Sequence, residues 1–491
     1  MDDDSASGVL QFDVRLGLWD SRRLYRSWDA VLVGTQYVEL SASHRVCLAT
    51  QSSLEKLHSL VQVAHQWQGP LSLGLFVAGD EEFEAAQRYL DFLQRCYAAV
   101  RERVTVSVLV PGSRAPRQQP RYYPLPDFLD CERPEAALRQ FARPISAEQA
   151  SWRVRNAYPQ NHMRNLARKN CQAEWVFLTD VDVVPSSNLS QLLEDFLRDE
   201  RNRCDKCAYV IPTFELDARV RFPQNKSELV RLAKKSLARP FHHKVFIHNQ
   251  FATNFTRWMM DSQPGQAPPP PAERGDTRAR VSHDVTNFEF LYEPFYVARD
   301  VAPAHDERFM GYGYTRNTQV YEMYVAGYKF KVLTPTFTVH WGLQTRKSRP
   351  AWRERQNSVN RKHFEIFKKE VFARYSRDPL KMRSRARSCA LRSALFLYLI
   401  SGASGRGGPC ILVQYTRKRD RSSSSAATCF THVHFCYNRD VYSLLEAGCG
   451  ELLLKSSPTA LEQLRPDPSR ARRPYVCYIR KRGQSVVRAS E

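Results

Sequence analysis

Trp175-Val176-Phe177-Leu178-Thr179, followed by Asp180-Val181-Asp182-Val183-Val184-Pro185-Ser186, is the stretch on which the fold turns. Its apolar opening reads as a short buried strand. Side chains two apart on an extended chain point the same way, so Asp180 and Asp182 can face one point at the strand's end. In open α/β sheets, ligands bind at the carboxyl ends of strands. Two carboxylates there suit a hard cation such as Mn²⁺ or Mg²⁺, with a bound diphosphate supplying further oxygens. The competing reading is a pair of solvated turn aspartates.

Strands and helices alternate on the N-terminal side of this stretch. Val46–Thr50 reads as a buried strand, and Ser52-Ser53-Leu54-Glu55 as a capping box opening a helix to about Gln66. Leu71–Val77 and Val104–Val110 are further strands, separated by an amphipathic helix over 81–101. A helix over 159–172 precedes Trp175, and a helix over 189–197 and a strand over 208–212 follow. The alternation predicts an α/β fold with a mostly parallel central sheet. Residues 1–44 read as a leader or stem-like segment and 45–375 as the catalytic-size domain, with a Pro-rich insertion at 263–274. Residues 376–491 read as a basic, unordered extension.

The 491 residues carry a net charge of +22. After residue 375 there are 21 lysines and arginines against 8 aspartates and glutamates, so a surplus of 13 lies in the extension. That placement argues against a folded nucleic-acid-binding face and leaves a basic cleft for an anionic small molecule. Met1-Asp2-Asp3-Asp4 is acidic, unlike the opening of a signal peptide. No apolar run reaches the roughly 20 residues a bilayer requires. Taken literally the chain is soluble, or it lacks its true N-terminus. Cys204 and Cys207 have no second Cys or His pair nearby, so a structural turn or a disulfide is expected there rather than zinc. Asn188, Asn225 and Asn254 begin Asn-x-Ser/Thr triplets, a weak pointer to a secretory lumen.

Tyr158-Pro159-Gln160-Asn161-His162-Met163-Arg164-Asn165-Leu166-Ala167-Arg168 and the Asp180–Ser186 run together resemble glycosyltransferase family 49. Matching stretches follow in order: 225–230, 239–241, 253–258, Glu293-Pro294-Phe295-Tyr296-Val297-Ala298, 306–309, 325–328 and Val339-His340-Trp341-Gly342. The resemblance implies a GT-A fold, a UDP-sugar donor, Mn²⁺, a Golgi location and a glycan or glycoprotein acceptor. It implies Asp180 and Asp182 as metal-site acids, with His340 completing the set; a buried structural histidine is the alternative. Arg164 and Arg168, four apart on one helical face, suit phosphate or carboxylate, or form a solvated basic face. Thr50 and Gln51 close the first strand at the expected nucleotide end, or cap a turn.

The resemblance further implies inverting transfer of glucuronate from UDP-glucuronate to a xylose-terminated glycan of the protein O-mannosyl type. Alternatives are the same fold with UDP-xylose or UDP-N-acetylglucosamine, and an inactive glycan-binding relative. Inversion needs one carboxylate to take the acceptor proton. Asp306, Glu307 and Glu322 are candidates, Asp306 first; Glu322 falls in a helix, where a salt bridge is the competing role. The family's membrane anchor is missing here. Thr315 stands before Arg316 where the family often has Asn, and Asn287-Phe288-Glu289-Phe290-Leu291 replaces a Trp- and Asp-containing run. Both departures fall where an acceptor would bind. The exact acceptor and the oligomeric state are not readable from these residues.

Overall fold

The computed structural model describes residues 8–142, 146–261, 278–345 and 351–382, together with four strands farther along the chain. The chain divides into two compact units, Met1–Arg385 and Ala386–Glu491.

The first unit is built on a ten-stranded sheet. Its strands are β1 (Leu18–Trp19), β2 (Tyr25–Leu32), β3 (Val46–Ser53), β4 (Leu71–Phe76), β5 (Val104–Pro111) and β6 (Trp175–Leu178). Next in sequence are β7 (Val183–Pro185), β8 (Cys207–Ile211), β9 (Thr213–Leu216) and β10 (Ala238–Pro240), of which β7, β9 and β10 belong to a second sheet. Then come β11 (Arg280–Asp284), β12 (Phe295–Arg299), β13 (Lys329–Thr334) and β14 (Thr338–Trp341). The large sheet has the order β1-β2-β5-β4-β3-β6-β12-β8-β13-β11, and the small one β10-β9-β14-β7.

The parallel run β5-β4-β3-β6 is the alternating segment read from the sequence. Every residue of β4, β5 and β6 is buried, as expected for parallel strands covered on both faces. The helix Gln160–Lys169 lies across β3 and β4. It comes so close that a Cβ on Gly74 would stand 2.9 Å from the carbonyl oxygen of Met163. A disulfide from Cys47 in β3 to Cys171 fastens the end of that helix to the sheet. Cys96–Cys131 and Cys204–Cys207 form two more, so the Cys-x-x-Cys pair is a local disulfide.

Two expectations need correction. Residues 9–44 are not a detached leader: β2 pairs with β5, and Leu10, Trp28, Val31 and Leu32 belong to the main core. The amphipathic stretch over 81–101 is two helices, Asp80–Cys96 and Ala98–Arg103, broken at the extended Tyr97. The Pro-rich insertion lies outside the described residues, as does most of 376–491. Within the second unit β15 (Ile411–Thr416), β16 (Phe430–Tyr437), β17 (Asp440–Glu446) and β18 (Leu452–Lys455) form an antiparallel meander. Among the described residues no helix is long and apolar enough to cross a membrane.

Candidate active site

The chain leaves the large sheet at the end of β6 and enters the small sheet at β7, and Asp180-Val181-Asp182 is the crossing. Val181 is buried between the two aspartates, which sit in a turn closed by the Val183 N–H donating to the Asp180 carbonyl at 2.9 Å. Their carboxylates meet different partners.

Asp180 Oδ1 accepts from Arg316 Nη2 at 2.9 Å, Arg164 Nη2 at 3.4 Å and Gln51 Nε2 at 3.3 Å. Both arginines are buried. Withdrawal from water favours the neutral acid, but Arg316 and Arg164 outweigh it and hold Asp180 well below the usual carboxylate range. Arg316 also stacks on Phe295 of β12, 4.3 Å from the ring centroid. Gln51 accepts in turn from the hydroxyl of Tyr158, and Thr50 donates to the carbonyl of Thr179 at 3.4 Å. Burial, first, and Asp180, second, push the Tyr158 phenol far up.

Asp182 stands with His340. In the small sheet His340 of β14 pairs with Val183 of β7, the residue after Asp182. The register therefore sets Asp182 Oδ2 3.6 Å from His340 Nε2, with Lys56 Nζ at 3.9 Å. Beside them the buried carboxylate of Glu215 binds Arg239 and the backbone N–H of His242. Burial and the adjacent His340 bring His242 down to about 4.

A divalent cation fits this corner with two protein donors rather than three. Asp182 offers an anionic oxygen and His340 an imidazole nitrogen, both acceptable to Mn²⁺. His340 Nδ1 is buried without a hydrogen-bond partner, and the ring packs 5.4 Å from that of Phe241. Asp180, expected as a third ligand, is instead turned to the arginines. Among the described residues no three His, Cys, Asp or Glu side chains converge as a metal cage.

The other expected residues divide. Thr50, Gln51 and Arg164 gather around Asp180. Arg168 does not: it binds the Asp300 carboxylate at 2.5 Å and the carbonyls of Asp300, Ala302 and Pro303, pinning that loop. Asp306 accepts from the backbone and guanidinium of Arg308, which also binds Glu370. Glu307 accepts from Asn165 at 3.0 Å and lies 3.5 Å from His162 Nε2. His162 and Arg164, two apart on a helix, point to nearly opposite faces, so Glu307 and Asp180 lie on different sides of it. Glu322 is buried on Arg374 and Tyr375, the structural salt bridge.

Two residues of the site escaped the sequence reading. Arg316 entered it only as the neighbour of an unusual Thr315. Glu293 entered only within a matching stretch. β12 runs antiparallel to β6 and β8, with Val297 opposite Phe177 and Phe295 opposite Ile211. Carried past the strand ends, that register brings residues 293–294 level with Asp180. Glu293 Oε2 accepts from Asn249 Nδ2 at 2.7 Å, and the backbone N–H of Asn317 donates to the same carboxylate. Burial pushes Glu293 up to about 7, against the pull of Arg316 and Arg164. The available signal was a carboxylate directly ahead of Pro294 and a buried strand.

The family model described as "Glycosyl-transferase for dystroglycan" matches residues 45–376. Beta-1,4-glucuronyltransferase 1 of Mus musculus is 32% identical over 368 residues, covering 74% of this chain and 82% of that protein. The xylosyl- and glucuronyltransferase LARGE2 of Rattus norvegicus is 27% identical over 349 residues, 69% of this chain and 40% of that one. Among solved structures, GalNAc-T7 with UDP, GalNAc and Mn²⁺ is similar with a TM-score of 0.33 and 10% identity, covering 84% of this chain and 68% of that one.

Proposed function

The chain belongs to glycosyltransferase family 49, and from that premise we propose that it transfers glucuronate from UDP-glucuronate to a xylose-terminated glycan, inverting the anomeric centre. The observation that carries this reading is the convergence of buried Arg164 and Arg316 on Asp180, beside the Asp182–His340 pair, where β6 ends. A glucuronyl donor brings a diphosphate and a carboxylate, and guanidinium groups bind both with two parallel hydrogen bonds. Asp180 keeps the two buried guanidiniums paired when the donor is absent and orients them when it arrives. Gln51 and Thr50 place the nucleotide end of the donor at the tip of β3.

Asp182 and His340 would hold Mn²⁺, which when bound offsets charge on the departing diphosphate. The glucuronyl relatives favour this donor; UDP-xylose and UDP-N-acetylglucosamine are the competing ones. A site built to pair a carboxylate leaves an arginine uncompensated when the donor lacks it, so discrimination should be large. The three disulfides suit an oxidising lumen, in keeping with a Golgi location. The acceptor we infer is a glycan of the O-mannosyl type on a glycoprotein.

The test is a donor panel offered with a β-xyloside, with and without Mn²⁺. Metal-dependent transfer from UDP-glucuronate is expected, at least 100-fold above UDP-xylose. Preference for an uncharged sugar would move the assignment to that donor. Failure with every UDP-sugar, by folded protein, would leave a glycan-binding relative.

A further inference from the structure

A displacement at the anomeric carbon releases one proton, from the acceptor hydroxyl. The three carboxylates expected to take it are engaged elsewhere: Asp306 on Arg308, Glu322 on Arg374, and Glu307 across the helix from Asp180. We propose that Glu293 is the general base of this site, positioned by Asn249 and by the first turn of the helix Arg316–Val325. The inference rests on the glycosyl transfer proposed for the same site.

Three observations carry it. Glu293 sits at the edge of the sheet where Asp180 sits, because β12 is reversed between β6 and β8. The residue is partly buried, and its carboxylate lies among protein groups. Among the described residues it forms no ion pair. Its close donors are neutral: Asn249 Nδ2 and the backbone N–H of Asn317. The charged groups facing it are Arg316 on the helix Arg316–Val325, Arg164 on the helix Gln160–Lys169, and Asp180 at the end of β6.

Glu293 and Asp180 thus form a divergent pair. Two arginines in hydrogen-bond contact occupy Asp180. Glu293, held by amides in a dry setting, keeps its affinity for a proton. Such a separation of neighbouring carboxyl groups is how one site assigns acid–base roles.

The step balances. The acceptor O–H bond breaks, its proton goes to a Glu293 oxygen, and its electron pair forms the bond to the anomeric carbon. The bond from that carbon to the β-phosphate oxygen breaks, and UDP leaves with the pair. Glu293 then gives the proton to water.

The experiment uses the full chain and its E293Q, E293D and N249A variants. It measures kcat and KM with UDP-glucuronate and a β-xyloside across pH, UDP binding by calorimetry, and Tm. E293Q is expected to lower kcat at least 100-fold, with donor KM and UDP affinity within about threefold of wild type. E293D should recover part of the rate. In wild type, kcat should rise with pH and level off above about 7, as Glu293 ionises. N249A removes a hydrogen bond to the ionised form, so that limb should move to higher pH; this variant tests the assignment even if E293Q folds poorly.

Wild-type turnover by E293Q overturns the inference, as does a pH limb unmoved in N249A. A loss of UDP binding and Tm in step with kcat also overturns it, leaving Glu293 as a helix cap. If wild type transfers and E293Q does too, only the base is wrong. If wild type transfers from no UDP-sugar, the proposed reaction falls and the base with it.

Discussion

Asp180 and Glu293 show how neighbours decide what a carboxyl group does. Asp180→Asn keeps the shape but removes the charge that pairs Arg164 and Arg316, so transfer should fall at least 100-fold with the fold retained. Near-wild-type turnover would remove Asp180 from the mechanism. The two residues also act on stability with opposite sign. Asp180 has a depressed folded-state pKa, so its contribution is present above the ordinary aspartate range and is lost as pH falls through the lower folded value. Glu293 has a raised pKa, so its contribution is complete below the ordinary glutamate range and is lost as pH climbs through about 7. Urea unfolding at pH 8 should therefore find E293Q at least as stable as wild type, and D180N less stable. His340→Ala should weaken Mn²⁺ binding in the presence of UDP at least tenfold by calorimetry; unchanged affinity would place the cation elsewhere. Asp180, Asp182 and His340 could be singled out as candidates because a short apolar strand or a matched motif frames each one. Glu293 and Arg316 could not, since what makes them part of the site is the reversed β12, a long-range pairing with no local spacing.

At the level of elements, β3, β4, β5 and β6 were legible because each is a short apolar run between turn residues. β12 is apolar too, but nothing local says that it inserts backwards between β6 and β8. The helix Gln160–Lys169 shows the same limit. Its period was readable, yet the fates of Arg164 and Arg168 depend on which loops pack beside it, and they part company. Its closeness to the sheet depends on Gly74. Gly74→Ala would place a methyl group 2.9 Å from the Met163 carbonyl, which a backbone atom cannot avoid by changing rotamer. The helix must move outward, at a cost of about 1–3 kcal/mol, and Arg164 moves with it. A lower Tm with a raised KM for the donor is expected. An unchanged KM would mean that the close approach serves packing alone. Loss of the Cys47–Cys171 disulfide frees the other end of the same helix. Because it spans 124 residues of chain, its removal by Cys171→Ser should cost roughly 2–5 kcal/mol.

Across the whole molecule, the N-terminal boundary tests whether the fold is understood. The acidic opening and mixed segments ahead of Arg45 look dispensable in one dimension, because β2 has no parallel neighbour in sequence and its partner β5 lies some eighty residues on. In three dimensions β2 covers the edge of β5, and Trp28, Val31 and Leu32 fill the core with Phe83 and Val108. Arg22 also donates to the carbonyl of Glu307 at 2.9 Å, so the same segment holds the loop that leads to Phe309. A chain starting at Arg45 would expose the β5 edge and an apolar face, both of which promote aggregation. A chain ending at Arg385 keeps every buried cluster of the first unit. Expressed side by side, the first is expected to be insoluble or to unfold at markedly lower temperature, and the second to retain cooperative unfolding and transfer. Full activity in the chain starting at Arg45 would return residues 1–44 to the role of a stem. Inactivity in the chain ending at Arg385 would show that the second unit contributes to catalysis.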